Sequence, residues 1–174
     1  SGADPSTKLA LEFLILTASR SGEARGATWN EIDLAAKSWT IPANRMKAKQ
    51  EHVVPLSARA VEILKEARVL GDGVGLVFPG TKLGKPLSDM TLSKLVKELG
   101  FNADVHGFRT SFRTWAQERT NYPREVAEAA LAHKVKDKSE AAYARSNLFE
   151  KRAKMMDAWG GYIAMAKGTV TRIG

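Results

Sequence analysis

The segment at residues 6–19 is apolar on nearly every side of a helical wheel. A helix on a protein surface needs a polar face, so this pattern predicts a helix buried at the centre of the fold. Apolar residues make up 44% of the 174-residue chain, which is enough to build a core around that helix. The longest apolar run is broken by Glu12 and is far shorter than the roughly 20 residues that cross a bilayer. The sequence therefore predicts one globular domain without a membrane span.

Around this helix the pattern predicts a small sheet. Short β-branched and aromatic runs at 38–42 and 52–56 are separated by the polar, basic residues 43–51, which indicates a hairpin with a basic tip. A third strand is predicted at 76–80. Prolines within or beside these runs indicate an edge-rich sheet, because proline cannot donate to a ladder.

The rest of the chain is predicted to be helical. Ser57 and Ser88 are expected N-caps, and further helices are expected at about 106–118, at about 123–132 and at about 148–166. In the last of these, Met155, Met156 and Trp159 share one apolar stripe, which can pack on the domain itself or on a second subunit.

The charge of the chain points to a polyanionic partner. Lys and Arg number 27 against 19 Asp and Glu, which gives a net charge of +8. The absence of cysteine excludes disulfides and thiolate zinc sites, and favours a reducing compartment. No carboxylate cluster has the spacing of a metal site, and Glu31 with Asp33 is interpreted as a turn or a solvated face.

Several side chains could carry chemistry, although each has a simpler explanation when taken alone. Arg20 ends the buried helix, and Glu23 is spaced to hold its guanidinium. His106 and Arg109 are three residues apart on a predicted helix and could reach one anion. His133 follows a helix end, whereas His52 is interpreted as a surface or strand-packing residue.

Taken together in sequence order, these residues resemble the tyrosine recombinases, and within them the phage-type integrases. The ordered set consists of Arg20 in Thr-Ala-Ser-Arg-Ser-Gly-Glu, Trp29-Asn30-Glu31-Ile32-Asp33, Lys47 before Val53-Val54-Pro55-Leu56-Ser57, His106-Gly107-Phe108-Arg109, Leu131-Ala132-His133 and Tyr143. Two motifs depart from the common pattern: Ala18 stands where many relatives have the glycine of Thr-Gly-x-Arg, and Ala132 where Leu-Gly-His is frequent.

The resemblance implies a fold and a set of roles. The fold would be mainly α within the α+β class, a helical bundle with a small three-stranded antiparallel sheet. Residues 1–174 would form the catalytic domain, and N-terminal DNA-binding domains would lie outside this chain. The implied site residues are Arg20 and Arg109 as the grip on the scissile phosphate, Lys47 as general acid, His133 as a phosphate hydrogen-bonding group, His106 as an aid to proton removal, Tyr143 as nucleophile and Glu23 as support.

Some assignments stay open at this level. Arg45 and Lys49 flank Lys47 and could replace it, and spacing does not decide which histidine acts as base. The implied reaction needs no metal or other cofactor. The implied partners are double-stranded attachment sites, on which the protein would be a homotetramer; isolated, the domain is expected to stay monomeric. The implied location is the bacterial cytoplasm, at the nucleoid.

Three alternatives are compatible with parts of the pattern. A type IB topoisomerase-like enzyme would share the nucleophile and the phosphate grip but would reseal the same strand. A non-catalytic basic DNA-binding module would account for the charge and the helices. A helical protein-interaction domain would account for the helices but not for salt-sensitive retention of DNA.

Overall fold

The computed structural model describes residues 2–134 and 148–166, with the side chains up to residue 165. Its helices are α1 (Pro5–Thr17), α2 (Ser21–Arg25), α3 (Ala58–Leu70), α4 (Asp89–Glu98), α5 (Gly107–Arg119), α6 (Arg124–Ala130) and α7 (Phe149–Ala166). Its strands are β1 (Ile32–Asp33), β2 (Ser38–Ile41) and β3 (His52–Pro55), and short 3-10 turns occupy Trp29–Glu31 and Ala43–Arg45.

Helix α1 is the buried helix that the sequence predicts, and it contacts α2, α3, α4 and α7. Asp4 caps its start by accepting a hydrogen bond from the Ser6 amide at 3.0 Å. It ends at Ala18, which has the left-handed φ of 49°. Such a residue turns the chain sharply out of a helix, so the next residues leave the core at this point.

The three strands form one antiparallel sheet in the order β1-β2-β3. Trp39 lies opposite Ile32 on one side and Val54 on the other, and Ile41 lies opposite His52. The predicted hairpin is confirmed, but the third strand predicted at 76–80 is wrong, because β1 takes that place.

Residues 76–80 are apolar for a different reason. Phe78 is fully buried and packs its ring 5.4 Å from that of Phe13. Leu76 forms only an isolated bridge with Thr28, and Pro79 with Pro86. Since proline donates no backbone hydrogen bond, this segment fills the core without extending the ladder.

Two hydrophobic clusters make up the core. The first joins α1, α3, α4 and the sheet around Phe13, Trp39 and Phe78. The second joins α5, α6 and α7 around Phe112, Trp115 and Trp159, and includes Ala18 at the end of α1. The end of α1 therefore belongs to both halves of the domain.

The predicted caps at Ser57 and Ser88 are confirmed, since their hydroxyls accept from the amides of Ala60 and Thr91. The stripe on α7 is buried against the same chain: Met155 and Met156 are in the second cluster, and the Trp159 indole donates to the Ile15 carbonyl at 2.8 Å. No helix within residues 2–134 and 148–166 has the length and apolarity needed to cross a membrane.

Candidate active site

Arg109 is a deeply buried cation of the candidate site. It lies in α5 with only 5% of its surface exposed. Its Nη1 donates to the Ala18 carbonyl at 2.6 Å, and its Nη2 donates to the Leu131 carbonyl at 2.8 Å. A planar guanidinium can serve two acceptors in different directions, so Arg109 ties the end of α1 to the end of α6.

Each of these carbonyls belongs to a left-handed turn. Ala18 has φ 49°, and Ala132, which follows Leu131, has φ 53°. These are the two positions at which the sequence motifs have alanine instead of the glycine of many relatives. A left-handed alanine costs about 1–2 kcal/mol more than glycine, but the turn is formed, and both carbonyls face Arg109.

Arg20 lies directly beyond the first of these turns, at the start of α2. Its backbone amide donates to Glu23 Oε2 at 2.9 Å, and its Nη1 donates to Glu23 Oε1 at 3.0 Å. The ion pair expected from the spacing is therefore present. The Arg20 side chain keeps 27% of its surface exposed, whereas Glu23 keeps 5%. Glu23 thus holds the guanidinium through Nη1, and part of the Arg20 side chain remains open to solvent.

Arg20 and Arg109 act on each other electrostatically. Burial and, to a smaller extent, the positive charge of Arg20 lower the pKa of Arg109 to about 10, with Glu23 acting in the opposite direction. At neutral pH a group with that pKa remains almost fully protonated. Two like charges held together in this way repel each other, and a bound anion would relieve that repulsion.

His133 lies next to the second turn. Its backbone amide donates to the Glu128 carbonyl at 3.0 Å, and its Nδ1 lies 2.5 Å from Glu128 Oε2. Because the Leu131 carbonyl binds Arg109, His133 is two residues from a direct partner of that guanidinium. The structure therefore brings Arg20, Arg109 and His133 to one side of the domain.

Lys47 lies on the loop between β2 and β3. Met46, immediately before it, is almost completely buried and anchors the loop, while Lys47 itself is exposed. Within the part of the chain that the structure describes, its amine forms no hydrogen bond or ion pair. Lys47 is thus a solvated cation on an anchored loop, free to approach a ligand.

Arg45, on the same loop, has a structural position. Its Nε and Nη2 bind the two oxygens of Glu31 at 2.8 and 2.7 Å, and the Trp39 indole also donates to Glu31. Glu31 does lie in a turn, as predicted, but the alternative of a solvated face is wrong, because its side chain is only 9% exposed and accepts from all three donors. Asp33 is exposed and does cap a turn, by accepting from the Ala36 amide. Because the Arg45 guanidinium is bound to Glu31, Arg45 is not available to take the place of Lys47.

His106 lies immediately before the helix that carries Arg109. Helix α5 begins at Gly107, one residue later than predicted, and His106 precedes it with an exposed side chain. Among the described residues its ring has no hydrogen bond or ion pair, whereas its backbone carbonyl accepts from the Arg109 amide at 3.0 Å. Tyr143 lies outside the described residues.

His52 is a residue of this region that sequence reasoning missed. It is the first residue of β3, as the strand-packing interpretation required, but its ring is half-buried among cations. Its pKa is lowered to about 4, mainly by burial, then by the charge of Arg152 and to a smaller extent by Arg109 and Arg20, while a backbone hydrogen bond with Ala130 acts in the opposite direction. No local pattern indicates these neighbours, because all four come from other elements.

Arg152 of α7 is buried, although the sequence pattern predicts an exposed position for it. The helical wheel puts it away from the apolar stripe, yet only 2% of its surface is exposed. Its Nη1 donates to the Val53 carbonyl at 2.6 Å, and burial lowers its pKa to about 10. Arg152 thus fastens α7 to β3 directly beside His52.

The position of His52 predicts a pH-dependent stability. An imidazole with a pKa of about 4 in the folded chain and about 6.5 in the unfolded chain stabilises the fold fully above pH 6.5. As the pH falls from 6.5 through 4, about 3 kcal/mol of that stability is lost, because the unfolded chain binds the proton first. Urea unfolding at a series of pH values should show this loss in the wild type and a smaller loss in His52→Gln. Parallel curves for the two proteins would contradict the prediction.

The described residues contain no group of three His, Cys, Asp or Glu side chains that could hold a metal ion. The side chains gathered at the ends of α1 and α6 are instead guanidiniums, imidazoles and the single carboxylates that hold them. This donor set suits an anion bound through charge-assisted hydrogen bonds, and the planar guanidinium fork matches both carboxylate and phosphate in shape.

The fold and this arrangement define the class of protein. The structure is similar to that of the integrase from mycobacterium phage Brujita, with a TM-score of 0.69 and 21% identity, covering 90% of this chain and 52% of that one. It is also similar to the XerH site-specific recombinase in a pre-cleavage complex with its difH substrate, with a TM-score of 0.58 and 19% identity over 84% of this chain and 48% of that one. The fold is that of a tyrosine recombinase catalytic domain.

The sequence identifies the family within this class. The family model described as "Phage integrase family" matches residues 2–148, and the chain belongs to that family. It is 37% identical over 164 residues to the prophage integrase IntA of Escherichia coli (strain K12), covering 92% of this chain and 40% of that protein. It is 32% identical over 177 residues to the integrase of Enterobacteria phage P4, covering 91% and 40%. The chain thus spans about two fifths of the length of these relatives.

Proposed function

We propose that this chain is the catalytic domain of a site-specific recombinase that cleaves and rejoins DNA through a covalent phosphotyrosyl intermediate. The observation that carries the proposal is the pairing of Arg20 and Arg109 at the ends of two helices, with His133 beside them, in a member of the phage integrase family. Two fixed guanidiniums can hold the non-bridging oxygens of a phosphodiester while charge redistributes on them.

In the proposed reaction, the Tyr143 oxygen forms a bond to phosphorus as the bond to the 5′ oxygen breaks. Lys47 gives a proton to the departing 5′ oxygen, and His106 takes the proton of the Tyr143 hydroxyl. His133 donates a hydrogen bond to the phosphate. Because one phosphodiester replaces another, the 5′ hydroxyl of a second strand can reverse the step without ATP.

The proposed partners follow from the same chemistry. The net charge of +8 suits a duplex DNA substrate, and XerH is named as bound to a DNA substrate in both a pre-cleavage and a post-cleavage complex. We propose that the substrates are two attachment sites, that the active assembly is a homotetramer, and that the protein acts at the nucleoid in the cytoplasm.

Covalent trapping tests this function. The chain would be incubated, in the presence of a chelator, with a pool of nicked duplexes that carry a randomised central sequence, so that no attachment site has to be known. Cleavage beside the nick releases a short fragment and traps the adduct. We expect a protein–DNA adduct that resists detergent, and mass spectrometry should place it on the peptide containing Tyr143. Retention of DNA without any adduct would instead favour a non-catalytic DNA-binding module.

The product distinguishes recombination from the activity of a type IB topoisomerase. Sequences recovered from the adduct would be placed on two plasmids and on one supercoiled plasmid. We expect joined products between the two plasmids; relaxation of the supercoiled plasmid without any joining would overturn the recombinase assignment.

Lys47→Ala should lower the rate of adduct formation by about 10²–10⁴-fold, the usual contribution of a general acid. A substrate with sulfur at the 5′ bridging position should restore the rate, because sulfur leaves without needing a proton. Lys49→Ala, on the same exposed loop, is the matched control and should retain most of the activity. A larger loss in the Lys49 variant, or no rescue by sulfur, would contradict the assignment of Lys47.

A further inference from the structure

The contact between Glu128 and His133 is built by the end of α6. The left-handed Ala132 turns the chain back on itself, so the His133 amide donates to the Glu128 carbonyl at 3.0 Å. The same turn brings the His133 Nδ1 to 2.5 Å from Glu128 Oε2. Backbone and side chain thus connect the same two residues, which leaves the imidazole little freedom to rotate.

Glu128 is itself held from a second helix. Arg113 of α5 places its Nη2 3.0 Å from Glu128 Oε1, and Arg124 places its Nε 3.9 Å from the same oxygen. The Glu128 side chain is only 19% exposed. Its two oxygens therefore have different partners: one faces the imidazole and the other faces the guanidiniums.

This arrangement determines the tautomer of the imidazole. An ionised carboxylate only accepts hydrogen bonds, so the His133 Nδ1 must carry a proton. A neutral ring then has its lone pair on Nε2, and a protonated ring has an N–H there. In both states Nε2 is the nitrogen that remains for a ligand.

We infer that Glu128 is a positioning residue, which holds the His133 ring through Nδ1 so that Nε2 faces the phosphate and donates to it when the ring carries both protons. This inference rests on the proposed function for the role of His133, whereas the contact itself does not. Neither the motif set nor the sequence patterns include Glu128, because an acidic residue on a short helix is ordinarily solvated.

The first test measures the tautomer and does not depend on catalysis. The chain has three histidines, so ¹⁵N-histidine labelling gives a simple spectrum that His52→Gln and His106→Asn would assign. At alkaline pH we expect a His133 ring protonated at Nδ1 in the wild type, and a mixture dominated by the Nε2-protonated form in Glu128→Ala. Glu125→Ala, an exposed glutamate on the same helix, is the matched control. An unchanged His133 tautomer in Glu128→Ala would overturn the inference.

The second test asks whether Glu128 acts through His133. Glu128→Ala should slow adduct formation by about 10–100-fold, as removal of residues that orient a functional histidine commonly does. Glu128→Gln should recover part of this loss, since its amide oxygen can still accept from Nδ1. In a His133→Ala background, Glu128→Ala should have no further effect. An equal loss in both backgrounds would show that Glu128 supports the fold alone and would overturn the inference.

Two outcomes keep the inference separate from the proposed function. If the wild type forms no adduct but the tautomer depends on Glu128, the proposed function fails and the contact stands. If the adduct forms but the tautomer does not depend on Glu128, the inference fails and the proposed function stands. Arg113→Ala, which removes an exposed partner of Glu128 and leaves the His133 contact, should reduce the rate less than Glu128→Ala does.

Discussion

Tyr143→Phe should abolish covalent attachment to the nicked duplexes and leave DNA retention nearly unchanged. The substitution removes one oxygen atom, and that oxygen forms the bond to phosphorus in the proposed reaction. Arg20 and Arg109, the charged groups proposed to hold the phosphate, are untouched, so binding should persist. The adduct is measured by denaturing electrophoresis, and binding is measured by retention of labelled DNA at low salt.

The chain provides two matched controls for this substitution, because it has three tyrosines. Tyr122→Phe and Tyr162→Phe should both retain adduct formation. Tyr122 is half-buried beside the start of α6, and Tyr162 stacks on Trp159 with ring centroids 5.8 Å apart, so packing explains both. An adduct that persists in Tyr143→Phe would discard Tyr143 as the nucleophile.

Arg109→Lys should impair both stability and chemistry, although it preserves the charge. The guanidinium serves the Ala18 and Leu131 carbonyls at once, whereas an ammonium on a flexible chain is a compact point charge. At least one buried carbonyl would lose its partner, which costs about 1–3 kcal/mol of unfolding free energy. Loss of a fixed donor to the phosphate should slow adduct formation by about 10²–10³-fold.

Urea unfolding and adduct formation at low temperature, where the variant remains folded, separate these two effects. Arg119→Lys is the matched control, because Arg119 is an exposed residue of the same helix. It should match the wild type in both measurements. Wild-type activity in Arg109→Lys would remove Arg109 from the phosphate grip and leave it as a structural residue.

The sequence was sufficient to predict those helices and caps that depend on interactions between residues close together in the chain. The all-round apolar pattern of α1 and the capping hydroxyls of Ser57 and Ser88 act within a few residues, and these predictions are confirmed. The third strand failed because Phe78 is apolar for packing rather than for pairing. A run of apolar residues does not distinguish these two causes.

The residues of the candidate site also fall into those that the sequence predicted and those that it did not. The ordered motifs identified the residues that the resemblance assigns to chemistry, and the structure brings Arg20, Arg109 and His133 to one side of the domain. The residues around them were not predictable, because their contacts join distant segments. Arg152 meets the Val53 carbonyl across 99 positions, and Glu31 meets Arg45 across 14. Only the folded chain places these groups together.

The double attachment of Arg109 also links reactivity to the integrity of the whole domain. One of its acceptors terminates a helix of the first cluster, and the other terminates a helix of the second. Partial opening of either half would withdraw an acceptor and release the guanidinium from its fixed direction. Under the proposed function, cleavage of DNA would therefore require both halves of the domain to be folded.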